Sequence, residues 1–232
     1  MRPLLDTLPA EQRRLWSELS QIPEHCVLYG GTALGLRLGG RQSVDFDFFT
    51  NQPVSADILS RSLAFLDGAD LIQSEPNTAT FIVDRGGPVK VSFFGGLTIG
   101  RVGQPERCED NRVWIASLLD LAAQKMKVIL VRAEPKDYCD IYTLLKAGVT
   151  LPEALGATKA LYPEFNPVLS LKALAYYGES SLASLPAGVR EYLTEESAKA
   201  ESIKMITTIA SSISPSTSMR KARAQSRGKG TS

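Results

Sequence analysis

Apolar and polar positions alternate in short runs along the first half of the chain and repeat with a helical period along the second half. The short runs predict strands at 26–29, 44–49, 70–75, 78–84 and 89–94. The longer periodic segments predict helices at 9–19, 30–38, 55–66, 117–132, 137–147, 151–161, 167–177 and 189–212. The pattern therefore predicts an α+β fold, in which a small mixed sheet flanked by helices is followed by an α-helical C-terminal half. The change of pattern predicts a boundary near residue 112, with an α/β domain at 1–112 and a helical domain at 113–212.

Composition narrows the class of protein. A chain of 232 residues with 44% apolar content is long enough to bury a core. Neither a signal peptide nor an apolar run of the ~20 residues that span a bilayer is present, so we expect a cytoplasmic protein with no membrane contact. Three distant cysteines predict no disulfide framework and no zinc site, and the single histidine, His25, argues against histidine-based metal sites and hydrolase triads.

The last twenty residues differ in charge from the rest of the chain. From Ile213 onward they contain five basic residues and no acid, whereas the whole chain has a net charge of +1, which leaves about −4 on the remainder. Their Ser, Thr, Gly and Arg content predicts a disordered tail at 213–232. Two interpretations stay open: a solubilising terminus, or an electrostatic arm that retains RNA.

A helix start rich in glycine follows the first strand. Gly30, Gly31 and Thr32 open a helix that continues to Leu38. The unpaired N–H groups and positive dipole end of such a helix suit a phosphate, and glycine lets the phosphate approach the backbone closely. These three residues are therefore candidates for nucleotide binding.

Two carboxylates follow on the next strand. The alternation in V-D-F-D-F-F places Asp45 and Asp47 on one face and Phe46 and Phe48 on the other. Alone, such a pair is usually polar surface; beside a helix start suited to phosphate, two carboxylates about 7 Å apart would repel each other unless they shared a cation. We therefore expect a divalent metal at Asp45 and Asp47.

The helical half contains a second cluster of charges. Lys125 lies at the margin of an amphipathic helix, and Asp137 and Asp140 share one side of the next helix. Each has an ordinary explanation, because a helix-surface lysine is usually solvated and Asp137 could cap its helix. Arg132 and Lys136 could pair with these acids or contact phosphates.

Together the two segments resemble the nucleotidyltransferase superfamily, and within it the AbiEii/AbiGii-type toxin family that includes the MenT-like transferases. The resemblance covers roughly residues 20–147. It rests on the Gly30 to Leu34 helix start, the Ser43 to Phe49 strand, and the later segments 120–125 and 136–142.

The resemblance implies a nucleotidyltransferase fold, site roles and partners. Asp45 and Asp47 are expected to hold Mg²⁺, Lys125 to bind nucleotide phosphate, and Asp140 or Asp137 to be a catalytic or organising carboxylate. The expected reaction moves a nucleotide from a nucleoside triphosphate to an acceptor hydroxyl, with the 3′ end of tRNA as the acceptor. The resemblance also implies a toxin controlled by a separate antitoxin.

The chain departs from the wider superfamily at Ser92. Standard nucleotidyltransferases have a third carboxylate on a later strand, where Ser92 stands here. Either Asp137 or Asp140 replaces that acid, or the enzyme works without a conventional base. Two alternatives to RNA modification also remain: an enzyme of the same fold that modifies a small molecule or a protein, and a non-catalytic nucleotide-binding module.

Overall fold

The computed structural model describes residues 1–215, and within them the sheet has seven strands in the order β3-β4-β5-β2-β1-β7-β6. The strands are β1 (Val27–Tyr29), β2 (Asp45–Phe49), β3 (Asp70–Glu75), β4 (Thr78–Asp84), β5 (Pro88–Phe94), β6 (Glu106–Arg107) and β7 (Trp114–Ile115). β2 pairs in parallel with β5, β1 pairs in parallel with β7, and the other neighbours are antiparallel. The predicted small mixed sheet is confirmed, and the pattern missed only β6 and β7, whose two residues each are too short to show alternation.

Helices flank this sheet and then form the second half of the described chain. They are α1 (Ala10–Trp16), α2 (Gly30–Leu38), α3 (Ala56–Ser62), α4 (Leu118–Val128), α5 (Pro135–Lys146), α6 (Leu151–Leu161), α7 (Pro167–Ala175) and α8 (Ala187–Lys199). Two predicted helices end early and are followed by short 3₁₀ helices at Glu18–Gln21 and Ala64–Leu66. The predicted α+β fold is therefore confirmed.

The two halves share one core. A continuous cluster of buried apolar residues extends from Leu8 near the N-terminus to Leu193 in α8. The predicted boundary near residue 112 falls two residues before β7, which pairs with β1 and belongs to the sheet. The change at this point is thus one of element type, and the division into two domains stays a prediction.

The segment 200–215, called the C-terminal strap below, corrects the prediction of a helix over 189–212. The helix ends at Lys199, and the strap continues without helical hydrogen bonds. Its backbone bonds instead to other parts of the chain: Lys204 N donates to Pro152 O at 3.0 Å, and Arg101 pairs with Ala210. The β-branched Ile and Thr residues of this segment have low helix propensity, so these external bonds prevail.

The end of the strap also corrects the predicted start of the tail. Ile213 and Ser214 are buried, and the Ser214 hydroxyl donates to the carbonyl of His25 at 2.6 Å. Packed chain therefore continues at least to Pro215. The basic residues that motivated the predicted arm lie at 220–229, outside the described residues.

Candidate active site

The β2 strand presents its two carboxylates on one face, as predicted. Phe46 and Phe48 are completely buried on the opposite face and stack with neighbouring aromatic rings. Asp45 and Asp47 are partly buried and line a cavity. The aromatic packing fixes which face of β2 carries the acids.

The start of α2 touches this carboxylate pair, and its glycines make that contact possible. Gly30 has φ +75°, and a Cβ atom there would lie 2.8 Å from Asp47 Oδ2. At Gly31 a Cβ atom would lie 2.6 Å from Arg41 Nη2 and 2.8 Å from Ser43 Oγ. All three distances are too short for a side chain, so each glycine lets a polar group approach the helix start.

Thr32 takes a structural position at the same turn. It is 2% exposed, and its hydroxyl donates to the backbone carbonyl of Asp45 at 2.5 Å. This bond connects α2 to β2 and so fixes the helix start beside the carboxylates. Among the three residues predicted to bind nucleotide, Gly30 and Gly31 line the cavity, whereas the Thr32 hydroxyl is already in use.

Nearby cations neutralise the carboxylate pair only in part. The ammonium group of Lys90 on β5 lies 3.3 Å from Asp45 Oδ2. Burial raises the pKa of Asp47 above its ordinary value, the nearby charge of Asp45 raises it further, and the cations Lys90, Lys125 and Arg132 offset part of this effect. A bound cation at the pair would relieve the same cost.

Across the cavity, Lys125 joins the two acids of α5. Its ammonium lies 2.8 Å from Asp137 Oδ1 and 2.6 Å from Asp140 Oδ2. All three side chains are almost completely buried, with residue exposures of 5%, 0% and 2%. The structure thus brings together the three residues predicted from the second segment.

Two arginines complete this buried network. Arg41 binds Asp140 through two parallel hydrogen bonds of 2.7 Å, and Arg132 Nε donates to Asp137 Oδ2 at 2.9 Å. Such bidentate and charge-assisted bonds fix the orientation of a guanidinium. The network therefore holds Arg41, Lys125 and Arg132 in the cavity wall.

Asp137 illustrates how strongly these cations act. Burial alone would raise its pKa, but the charges and hydrogen bonds of Lys125 and Arg132 together lower the pKa below the ordinary value. The same contact with Asp137 raises the pKa of Arg132. The carboxylate is therefore ionised at neutral pH, although it is completely buried.

Like Lys90, Arg41 is a basic cavity residue that the sequence analysis did not single out. It lies in the loop after α2, where no periodic pattern marks its direction. Its position between two glycines and the carboxylate strand was the one available signal. Of the two residues left undecided, Arg132 pairs with Asp137, and Lys136 pairs with Glu134 at 2.7 Å.

The cavity between the sheet and the helical half has a volume of about 660 Å³. The acids that line it are Asp45 and Asp47, and the basic residues that line it are Arg41, Lys90, Lys125, Arg132 and Lys136. Asp137 and Asp140 lie behind this wall rather than in it. The cavity therefore offers a carboxylate pair facing several fixed cations, an arrangement that suits a polyanion bound together with a divalent cation.

The carboxylate pair alone offers few ligands to a metal ion. Within residues 1–215 no group of three or more His, Cys, Asp and Glu side chains is arranged to hold a metal ion. Two carboxylates nevertheless fit Mg²⁺, which is commonly held by one or two acids together with substrate phosphates and water.

Comparison with protein families decides the class of this protein. The family model for the nucleotidyl transferase AbiEii toxin of type IV toxin–antitoxin systems matches residues 14–201. The chain belongs to this family. It is therefore a nucleotidyltransferase, and family membership implies a nucleotide substrate and a cognate antitoxin.

One curated protein and several solved structures are similar to this chain. An uncharacterised protein of Aquifex aeolicus (strain VF5) is 32% identical over 156 residues, which cover 66% of this chain and 74% of the relative. MenT4, a nucleotidyltransferase toxin from Mycobacterium tuberculosis H37Rv, has a similar structure, with a TM-score of 0.56, 14% identity and coverage of 84% of this chain and 81% of that one. An antigenic nucleotidyltransferase-like protein from Paracoccidioides brasiliensis has a TM-score of 0.52 and 16% identity, with coverage of 85% and 96%.

These structural likenesses establish the fold that the resemblance predicted. The family generally uses a divalent metal, which agrees with the chemistry of Asp45 and Asp47. None of the helices within residues 1–215 is both long and apolar enough to cross a bilayer.

Proposed function

We propose that this protein transfers a nucleotide from a Mg²⁺-bound nucleoside triphosphate to the terminal hydroxyl of a tRNA. The observation that carries the proposal is the cavity in which Asp45 and Asp47 face Lys125, Arg41 and Arg132. Phosphoryl and nucleotidyl transfer depend mainly on positioning and on neutralisation of negative charge, and this cavity supplies both.

The cations on the helical side would bind the triphosphate. Lys125 is almost completely buried and Arg41 is held by two hydrogen bonds that it donates to Asp140, so neither side chain must be ordered when the substrate arrives. Fixed donors of this kind stabilise charge on a leaving pyrophosphate without reorganisation. Gly30 and Gly31 would let a phosphate approach the backbone at the start of α2.

Asp45 and Asp47 would hold the divalent cation. When bound, Mg²⁺ supplies Lewis-acid stabilisation of negative charge on the phosphate oxygens. Lys90, 3.3 Å from Asp45, orients that carboxylate and offsets part of the negative charge of the pair. The carboxylates are thus available as ligands on the face that the aromatic core leaves open.

Asp137 and Asp140 act, in this proposal, as positioning residues. They are completely enclosed by Lys125, Arg41 and Arg132 and do not line the cavity. Ser92 lies beside Asp47 across β5 and β2 and is 1% exposed. Among residues 1–215, the acids that line the cavity are Asp45 and Asp47, with no third carboxylate. Catalysis would therefore rest on charge neutralisation and alignment rather than on a dedicated third acid.

Labelled transfer tests this function directly. The full chain is incubated with each α-labelled nucleoside triphosphate, Mg²⁺, total RNA and a cell protein extract, and the products are separated on gels. We expect label in the tRNA band for the wild type and for Asp67→Asn, an exposed-loop control, but not for Asp47→Asn. Label on protein, or on neither polymer, would contradict the proposed acceptor.

The basic segment at 220–229 is proposed to add electrostatic affinity for RNA. A chain truncated after Pro215 should bind tRNA more weakly, and the slope of log affinity against log salt should become shallower, by up to about 0.7 for each cation that contacts a single strand. Unchanged affinity and slope would assign this segment another role. Binding is measured by fluorescence anisotropy across a salt series.

A further inference from the structure

The cavity has an uncharged part that the proposed phosphate and metal chemistry does not use. It extends sideways from Asp47 across β5 and β4 to the edge strand β3. Its lining residues are Phe49, Phe94, Ile72, Gln73, Thr80 and Gln124. Since three strand spacings amount to roughly 14 Å, a nucleoside has room between the carboxylate pair and this edge.

Apolar surface is provided from two sides of this region. Phe49 and Phe94 follow Asp47 and Ser92 on the same face of paired strands, and their rings meet edge to face at 5.1 Å. On β3 a bulge between Leu71 and Gln73 leaves Ile72 without a register partner, so that Ile72 and Gln73 both line the cavity. Bulges commonly redirect side chains beside active sites, and here the bulge exposes an apolar side chain at the cavity mouth, where Ile72 is 57% exposed.

Gln124 adds an unused hydrogen-bonding group to the same cavity. It precedes Lys125 on α4, and both residues line the cavity. Its Oε1 atom is buried and has no hydrogen-bond partner within the described part of the chain. A buried polar atom without a partner is costly, and such atoms in native proteins usually await a ligand or water.

Gln73 on the facing strand does not share this property. Its Oε1 accepts a hydrogen bond from the Thr80 hydroxyl at 3.2 Å, and its Nε2 donates to Glu75 at 3.3 Å. The two glutamines thus line one cavity, but only Gln124 has a buried acceptor free for a ligand.

We propose that this uncharged region binds a nucleobase and that the Gln124 side chain recognises the edge of that base. The inference rests on the proposed nucleotidyl transfer and adds to it a subsite with a specificity-determining residue. A nucleobase fits because it combines flat apolar faces with a hydrogen-bonding edge, and an amide offers one donor and one acceptor to that edge. The base belongs either to the incoming nucleoside triphosphate or to the terminal nucleotide of the acceptor.

The test compares the full-length wild type with Gln124→Met, which keeps the side-chain length but removes both hydrogen-bonding groups. The control is Gln104→Met, because Gln104 is exposed and does not line the cavity. One series measures the dissociation constants of the four nucleoside triphosphates with Mg²⁺ and without acceptor, by calorimetry. A second series measures the binding of RNA oligonucleotides that end in each of the four bases. Thermal melts verify that all variants fold.

We expect the wild type to distinguish the four bases by about tenfold in one of the two series. Gln124→Met should compress that range to about threefold, chiefly by weakening the preferred base, and Gln104→Met should leave the range unchanged. Selectivity lost in the first series assigns the subsite to the donor base, and selectivity lost in the second assigns it to the acceptor base.

A range that Gln124→Met leaves intact in both series, equal weakening of all four bases, or a wild type without selectivity would overturn the inference. Absence of labelled transfer would instead contradict the proposed function, because both binding series are independent of turnover.

Discussion

The two walls of the cavity use the same residue type in opposite ways. On the β2 wall, Asp47 stands beside a second carboxylate and at a distance from the nearest cations, so that burial and the Asp45 charge raise its pKa. On the opposite side, called the α5 wall below, Lys125 and Arg132 line the cavity and Asp137 lies directly behind them. Asp137 is buried completely, yet the charges and bonds of these two cations lower its pKa. Asp47 is therefore suited to bind a cation, whereas Asp137 is a fixed counter-ion for side chains.

This difference indicates that the acids on the two walls have different roles. Carboxylates that lack enough positive charge are available to a metal, whereas carboxylates enclosed by cations serve to aim those cations. Removing the charge of Asp47 should therefore maintain or raise stability, whereas removing the charge of Asp137 should lower it. The effects on activity should also differ.

The largest expected effect is on the β2 wall. Asp47→Asn should lower the rate of nucleotide transfer by roughly 10²–10³, because removal of one element of preorganised electrostatic stabilisation has losses of this size. Its thermal stability should be equal to or higher than that of the wild type, since a repelled and buried charge is lost. Transfer rates and melts of the same preparations provide the measurement. Asp67→Asn, in an exposed loop, is the control and should change neither quantity.

On the α5 wall the main effect should be on folding. Asp137→Asn leaves Lys125 and Arg132 with a neutral partner, and breaking a buried ion pair typically costs about 3 kcal/mol of unfolding free energy. Denaturant unfolding measures this loss. The exposed pair of Glu195 and Lys199, 2.8 Å apart, is the matched comparison, and Glu195→Gln should change stability little. Equal effects at both positions would refute the distinction between buried and exposed pairs.

The pH dependence of stability should separate the walls by sign. Because the folded pKa of Asp47 is raised, its unfavourable contribution is present at neutral pH and disappears as the pH falls through that pKa toward the ordinary value of 3.8. The folded pKa of Asp137 is lowered, so its favourable contribution persists down to 3.8 and disappears only below this value. Unfolding free energies of Asp47→Asn and Asp137→Asn are compared with the wild type across this range. As the pH falls, the difference between Asp47→Asn and the wild type should disappear above pH 3.8, and the difference for Asp137→Asn should disappear below pH 3.8. Disappearance of both differences in one pH range would contradict the opposite pKa shifts of the two acids.

The smallest effect should appear where the walls meet, at the start of α2. A methyl group at Gly31 would displace the ends of the Arg41 and Ser43 side chains, and we expect Gly31→Ala to weaken nucleoside triphosphate binding by about 1 kcal/mol. Gly188→Ala on α8, where a Cβ atom meets nothing within 4 Å, is the matched control and should leave binding unchanged. Titration calorimetry measures both. Unaltered binding in Gly31→Ala would mean that Arg41 does not need its present position.

The comparison also explains what the sequence could reveal. The β2 wall is local: alternation alone placed Asp45 and Asp47 on one face, and the Gly30 start followed directly from the adjacent strand. The α5 wall is only partly local. Spacing put Asp137 and Asp140 on one side of a helix and offered Arg132 as a nearby partner, but it gave no sign that Arg41 would bind Asp140. Arg41 reaches Asp140 across 99 residues, and such a contact leaves no periodic pattern.

The misjudged elements have the same physical origin. The strap at 200–215 resembled a continuation of α8, yet its backbone bonds to Arg101 and Pro152, which are distant in sequence. The strands β6 and β7 exist because β1 has a free edge for β7 to pair with. The Gln124 acceptor became visible only once the side chains around it were placed.

The coupling between Mg²⁺ and nucleoside triphosphate binding tests the central claim most directly. Calorimetric titrations of the wild type, Asp47→Asn and Lys125→Met are carried out with and without Mg²⁺. We predict that Mg²⁺ strengthens wild-type binding by about tenfold, that Asp47→Asn loses this enhancement, and that Lys125→Met binds more weakly but retains it. An undiminished Mg²⁺ enhancement in Asp47→Asn would contradict the assignment of the β2 wall as the metal site.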